Sequence, residues 1–255
     1  MNILVCMKAV PGTTAVQVDG QYRLKRDGVT LQWNVADEAA LEAAARLKGT
    51  GTVTVVTMGP AKLQDNLKEL LARGADRAVL VTDRVMAGAD TRATARALAA
   101  AARHLGSFDL ILCGRRAIDG ETGQVPAQLA AALALPCVSD VEAITADGCL
   151  TLTRRLEDGL QTLQAASPLV ASLCAYAYPL RLPGILALRK AKNKAVEVLS
   201  AADLGLDPAE CGLAGSLTRV IAMENTFPGL RKGPKYTDLA AGLRELEILL
   251  GEVRP

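Results

Sequence analysis

The chain has 255 residues, half of them hydrophobic and 22% charged. That composition excludes a disordered chain, and the length suits one large α/β domain with an appendage better than two equal domains. Lys and Arg number 29 against 27 Asp and Glu, and aromatics make up 3%, which removes the case for a nucleic-acid binder. A single histidine, His104, excludes a multi-histidine metal site.

The opening MNILVCMKAV has no basic flank ahead of a long apolar stretch, so no secretory signal is expected. No apolar run reaches the length of a membrane span. The six cysteines are Cys6, Cys113, Cys137, Cys149, Cys174 and Cys211; none falls in a CxxC pair, and most sit in apolar segments such as ILCG and ASLCA. Buried free thiols in a cytoplasmic protein are the expectation.

NILVCMKAV opens the chain as a strand. Residues 37–48, DEAALEAAARLK, put acids in the first turn and a base in the last, with Gly49 following, an order that suits a helix and its dipole. Residues 53–57, VTVVT, are β-branched, and Met58-Gly59-Pro60 turns the chain. Residues 61–73 repeat leucine at 63, 67, 70 and 71, a helical stripe that Gly74 can close. RAVLV at 77–81 is a strand; Asp90 or Thr91 can cap an alanine-rich helix running to His104; DLILC at 109–113 is the next strand, and residues 123–135 the next helix. These strands are apolar on both faces, which favours a parallel sheet covered on both sides. After Pro136 the turns ADG and EDG break residues 141–164 into an antiparallel meander. PLVASLCA at 168–175 is a buried strand; from Pro179 onward the chain is less regular and carries the basic run RKAKNK. Residues 225–236 read as an extended arm and residues 238–250 as a leucine-striped helix. The expected fold is α/β: an open, mainly parallel, Rossmann-like sheet with helices on both faces, a small antiparallel meander and a C-terminal arm. The expected boundary separates residues 1–224 from residues 225–255.

Residues 114–127, GRRAIDGETGQVPA, follow the strand DLILC and precede a helix, the place where open parallel sheets bind ligands. Glycines 114, 120 and 123 allow close approach and can present amides to an anion, while the helix start adds unpaired donors. Thr122 and Gln124 add neutral donors and Arg115 a cation, chemistry that fits a phosphate or pyrophosphate. The plain alternative is that Asp119 and Thr122 cap a helix and the glycines only make a turn. Neither GxxxxGK[ST] nor GxGxxG occurs in the chain.

GRRAIDGETGQV resembles the nucleotide loop of the electron transfer flavoprotein β subunits. The resemblance runs in order through LVCMKAVP, WNVADEAALEAAARLK, VTVVTMGP, GADRAVLV, DLILCGRRAIDGETGQ, RRLEDGLQTL, SPLVASL, LPGILALRKAKNK and LSAADLGLD. It implies an α/β subunit paired with an α subunit that holds FAD, the pair carrying electrons from flavin-dependent dehydrogenases, acyl-CoA dehydrogenases among them. It places nucleotide contacts at Cys6, Asn34, Asp37 and Met58, and at Gly114, Arg115, Arg116, Ala117, Ile118, Asp119, Gly120, Glu121, Thr122, Gly123, Gln124 and Val125. It implies no acid–base catalytic residue.

In the family's ordinary branch this site holds structural AMP. In its electron-bifurcating branch it holds a second FAD that takes hydride from NADH and divides the electrons, with ferredoxin or flavodoxin as an acceptor. Lys8 to Thr13 resemble that branch's KxVPxT pattern, and residues 118–124 its IDGxTxQ string. Gly12, Arg116 and YRLKRDG depart from it, and Arg155 stands where some members carry an acidic residue. The balance favours FAD. Within Pro179 to Lys194 the resemblance puts an apolar docking anchor at Ile185, with Leu182 and Leu186 as neighbours, and Arg189, Lys190, Lys192 and Lys194 as steering charges; an ordinary solvated charge run is the alternative. The arm and last helix would serve the α subunit. From another class, an ATP-using enzyme of the related adenine-nucleotide α-hydrolase type needs a glycine- and serine-rich loop after the first strand; AVPGTTAV has one glycine and no serine.

Overall fold

The computed structural model describes residues 1–12, 30–221 and 236–252, and the chain divides into two compact units, Met1–Val220 and Ile221–Pro255. The first unit begins with β1 (Ile3–Cys6), β2 (Ala9–Pro11), β3 (Leu31–Trp33), α1 (Val35–Leu47), β4 (Val53–Met58) and, after a 3-10 turn, α2 (Gln64–Ala72). Then come β5 (Arg77–Val81), α3 (Thr91–Leu105), β6 (Leu110–Gly114) and α4 (Val125–Leu133). It ends with β7 (Cys137–Asp147), β8 (Cys149–Leu156), β9 (Gly159–Ala165), β10 (Leu169–Leu173), α5 (Ile185–Lys192) and β11 (Glu197–Leu199).

Nine strands form one sheet in the order β11-β5-β4-β1-β6-β10-β7-β8-β9. Every pairing from β11 to β7 is parallel, and the β7-β8-β9 meander extends the same sheet antiparallel. Strand side chains alternate between the two faces. Ile3, Val5, Val53, Val55, Leu110 and Leu112 pack with Leu41 of α1 and Leu67 and Leu70 of α2. Leu4, Val56, Val79 and Ile111 pack with Leu98 of α3 and Leu129 of α4. That two-sided burial is why the parallel strands read as unbroken apolar runs.

The opening apolar run is not one strand. Lys8 N–H leaves the ladder for Asp37, and β2 turns off to pair antiparallel with β3 as a ribbon. The carboxylate of Asp90 accepts Ala93 N–H and caps α3, as expected from the sequence. Helix α5 and strand β11 were not expected. Only Ala191 of α5 is buried, so core packing imposes no apolar stripe on it, and β11 is a three-residue edge strand. Cys6, Cys113 and Cys211 are buried, whereas Cys137 and Cys149 are exposed and Cys174 is intermediate, which corrects the expectation of mostly buried thiols; all six are free. The meander explains Cys149, since antiparallel strands alternate outward-facing positions.

In the second unit the described residues form α6 (Leu239–Glu252), whose first turn donates Ala241 N–H to Asp238. Residues 225–235 of the expected arm lie outside the described residues. No helix among the described residues is long and apolar enough to cross a membrane.

Candidate functional site

Strand order reverses at β1. The chain moves outward from β1 through β4 and β5, then returns to place β6 on the other side of β1. Loops leaving β1 and β6 therefore diverge, and the crevice at their carboxyl ends is where such sheets take ligands. Residues 114–125 and the start of α1 meet there.

The start of α1 grips the loop. Asn34 sits at the N-cap position but makes no side-chain cap bond. Its Nδ2 donates to the Arg116 carbonyl at 3.1 Å, and its Oδ1 accepts Ile118 N–H at 3.2 Å. Asp37 is buried; its Oδ2 accepts Lys8 N–H at 2.8 Å and its Oδ1 accepts Gly114 N–H at 2.9 Å. Burial pushes its pKa from 3.8 up to about 7, against the opposing hydrogen bonds of Asn34, Lys8 and Gly114 and the charge of Lys8. The ammonium of Lys8 pairs with Asp119 across the loop at 2.6 Å. Asn34 and Asp37, expected to touch a nucleotide, both bond to the loop and brace it.

The three loop glycines do different jobs. A Cβ on Gly114 would stand 2.2 Å from Asp37 Oδ1 and 2.7 Å from the Asp37 nitrogen, so this glycine allows β6 to approach α1. Gly120 has nothing within 4 Å of such a Cβ and no positive φ, so it faces open space. The left-handed turns fall on Glu121, φ 50, and Gly123, φ 63. Gly114 is thus required by packing against α1, whatever it does for a ligand.

Each backbone amide of the loop needs an acceptor from protein, water or ligand. Arg115 N–H donates to Leu173, Gly120 N–H to the Asp119 carboxylate, and Glu121 N–H to Ala117. Thr122, Gly123, Gln124 and Val125 have no acceptor for their amides among the described residues. These donors sit at the start of α4, where the dipole adds positive character. Neither Asp119 nor Thr122 caps α4: the N-cap is Gln124, with no side-chain cap bond. The Oε1 of Gln124 accepts from Thr91 Oγ1 at 2.9 Å. Ile118 is exposed and offers apolar surface beside the donors. Thr57, next to Met58 on β4, is buried with its hydroxyl unpartnered.

Two site cations are already paired with carboxylates. Lys8 holds Asp119, and Arg115 Nε meets Asp140 at 2.5 Å. Arg116 has no ion-pair partner among the described residues. Cys6 is buried in the core beneath the crevice, Met58 packs partly against the same cluster, and Cys113 lies beside Cys6, which with burial holds its thiol pKa well up. Lys8 and Asp140 escaped the sequence reading as site residues: the Lys8 pair spans 111 positions, and no local pattern announces it. A separate cleft of about 180 Å³ lies between the ribbon and α2, lined by Ala9, Leu31, Trp33, Glu38, Glu69 and Arg73. No expected site residue lines it, and Arg73 is paired there with Glu69.

The docking residues are all outward. Leu182 is 89% exposed, Ile185 and Leu186 each 73%. Leu182 lies on a loop, whereas Ile185 and Leu186 open α5. The segment is tethered by Arg181, whose Nε and Nη2 donate to buried Glu42 of α1 at 2.8 and 3.0 Å.

The electron transfer flavoprotein domain matches residues 23–204. The chain is similar to electron transfer flavoprotein subunit beta of Thermoanaerobacterium thermosaccharolyticum, at 43% identity over 87% of both chains. It is similar to Protein FixA of Rhizobium meliloti at 42% identity, covering 86% of this chain and 80% of that one. It is also similar to the Caffeyl-CoA reductase-Etf complex subunit CarD of Acetobacterium woodii, at 39% identity over 86% of both.

Proposed function

Since the chain belongs to the electron transfer flavoprotein β-subunit family, we propose that residues 114–125 hold the phosphate of an adenine nucleotide in a complex with an α subunit that exchanges electrons with flavin-dependent dehydrogenases. The observation that carries this reading is the set of amides from Thr122 to Val125, at the strand-order switch, that find no acceptor among the described residues. Neutral amides at a helix start bind a phosphate without needing a strongly basic site, which agrees with the paired state of Lys8 and Arg115. The open space over Gly120 leaves room for close approach, and exposed Ile118 gives a flat ring an apolar contact.

The nucleotide is FAD in our reading, and the complex bifurcates electrons from NADH; AMP is the second reading. The KAVPGT and IDGETGQ strings, which resemble the bifurcating branch, support FAD. When bound, FAD supplies hydride acceptance and one-electron transfer. The protein residues bind and orient it: amides 122–125 hold phosphate, and Asn34, Asp37 and Lys8 fix the loop. The ATP-using alternative gains nothing from the structure, because the turn after β1 is the β2-β3 ribbon, held by Lys8 and Asp37, with no glycine-rich loop among its described residues. We place the complex in the cytoplasm.

Heat release of ligand from the purified complex with its α subunit, followed by chromatography, tests this. Two FAD per complex supports bifurcation, and one FAD plus one AMP supports the ordinary carrier. Absence of any adenine compound beyond the α-subunit FAD refutes the site.

A further inference from the structure

Strand β7 carries a bulge beside the loop. Val138 pairs with Ala171 and Val141 with Leu173, so three steps on β7 match two on β10. Asp140 sits in this irregularity with φ 59, a conformation that Asp and Asn tolerate better than most side chains. Its amide points to Ser172 Oγ at 3.4 Å. Bulges re-aim side chains and recur next to functional sites. Here the re-aimed carboxylate meets Arg115, the first residue after β6, at 2.5 Å. Arg115 N–H is also fixed, to the Leu173 carbonyl at 2.8 Å. The loop is therefore tied on one side by Asn34 and Asp37 of the α1 start and on the other by β10 and β7. Arg115 is half exposed, so it has room to swing toward a phosphate when its partner is lost.

We propose that Asp140 is a positioning residue that holds Arg115 away from the bound phosphate and so sets how strongly the site responds to ligand charge. This inference rests on the adenylate reading of residues 114–125. With Asp140 in place, a phosphate meets amides and Arg116; without its charge, Arg115 becomes a second cation for the phosphate. An arginine free to fork onto phosphate oxygens makes a strong charge-assisted contact, whereas one held by a carboxylate does not. Asn at 140 keeps the left-handed backbone and the side-chain shape and removes only the charge.

The test is calorimetric binding of adenosine, AMP and ADP to the nucleotide-stripped complex of the full chain with its α subunit. Parent, Asp140→Asn and Asp140→Glu are compared at low salt. Adenosine should bind equally to all three. AMP and ADP should bind Asp140→Asn about tenfold more tightly, the scale of one charge-assisted hydrogen bond at a half-solvated site. Added salt should shrink that gain, and Asp140→Glu should behave as the parent. AMP and ADP affinities that stay fixed relative to adenosine overturn the proposal. Adenosine weakening along with both nucleotides also overturns it, because Asp140 is then only structural support. If the parent binds none of the three, the adenylate reading itself fails and the inference falls with it.

Discussion

Replacing Gly114 with alanine separates a structural glycine from a ligand-facing one. The added Cβ would stand 2.2 Å from Asp37 Oδ1, 2.7 Å from the Asp37 nitrogen and 2.8 Å from the Ala36 carbonyl carbon. Two of these are backbone atoms in the first turn of α1, so no side-chain rotation relieves the clash. Overpacking of this kind costs about 1–3 kcal/mol. Separation of Gly114 N–H from a buried carboxylate that accepts it costs about 1.5–3 kcal/mol more. A total of about 2.5–6 kcal/mol is a large part of the stability of an ordinary domain, and at roughly 2–4 °C per kcal/mol it lowers the melting temperature by about 5–24 °C. Gly120→Val is the contrast: nothing lies within 4 Å of its Cβ, so the fold should hold within about 0.5 kcal/mol while the nucleotide is expelled. Thermal and guanidinium unfolding of both variants, with adenine content measured on the same samples, checks the pair. A Gly114→Ala protein as stable as the parent, or a Gly120→Val protein with full nucleotide occupancy, refutes this division of labour.

The proton on Asp37 gives a pH prediction. Its folded pKa of about 7 lies above 3.8, so the folded state holds the proton longer and its contribution to stability, fully present at low pH, is lost as pH rises toward about 7. At about 1.4 kcal/mol per pH unit, the stability of the parent relative to Asp37→Asn should fall by roughly 2–3 kcal/mol between about pH 5 and pH 7, read from guanidinium midpoints; a flat difference counts against a buried, proton-holding Asp37. Leu182→Asp and Ile185→Asp should each raise the KM for the dehydrogenase about thirtyfold with flavin content unchanged, as loss of an exposed apolar anchor does; steady-state assays giving the parental KM in both would remove the segment from docking. Glu42→Gln should weaken the same step through Arg181 and leave the midpoint near that of the parent only if Arg181 finds another acceptor; a full parental KM would show that the tether is not needed.

The parallel sheet was legible because its strands are buried on both faces and its helices carry ordinary start and stop signals, as Asp90 does for α3. The ribbon was not legible, because Ala9 and Val10 continue the apolar run of β1 and the break at Lys8 is made by a carboxylate 29 positions away. Helix α5 was missed because its leucines face outward, so no core-facing stripe marks it. At the candidate site the loop was found from its glycines and family strings. Its bracing was invisible: Asn34, Asp37, Lys8 and Asp140 reach it from distant positions, and only folding brings them together. The roles of the glycines were also hidden, since sequence shows that a side chain is missing and not what would have met it.

The most direct measurement is amide hydrogen exchange along residues 114–130 in the complex with its α subunit, with the nucleotide bound and removed. Bound nucleotide should slow exchange at Thr122, Gly123, Gln124 and Val125, and leave Gly114 and Arg115, already bonded to Asp37 and Leu173, protected in both states. Unchanged exchange at residues 122–125 would mean that the phosphate is held elsewhere.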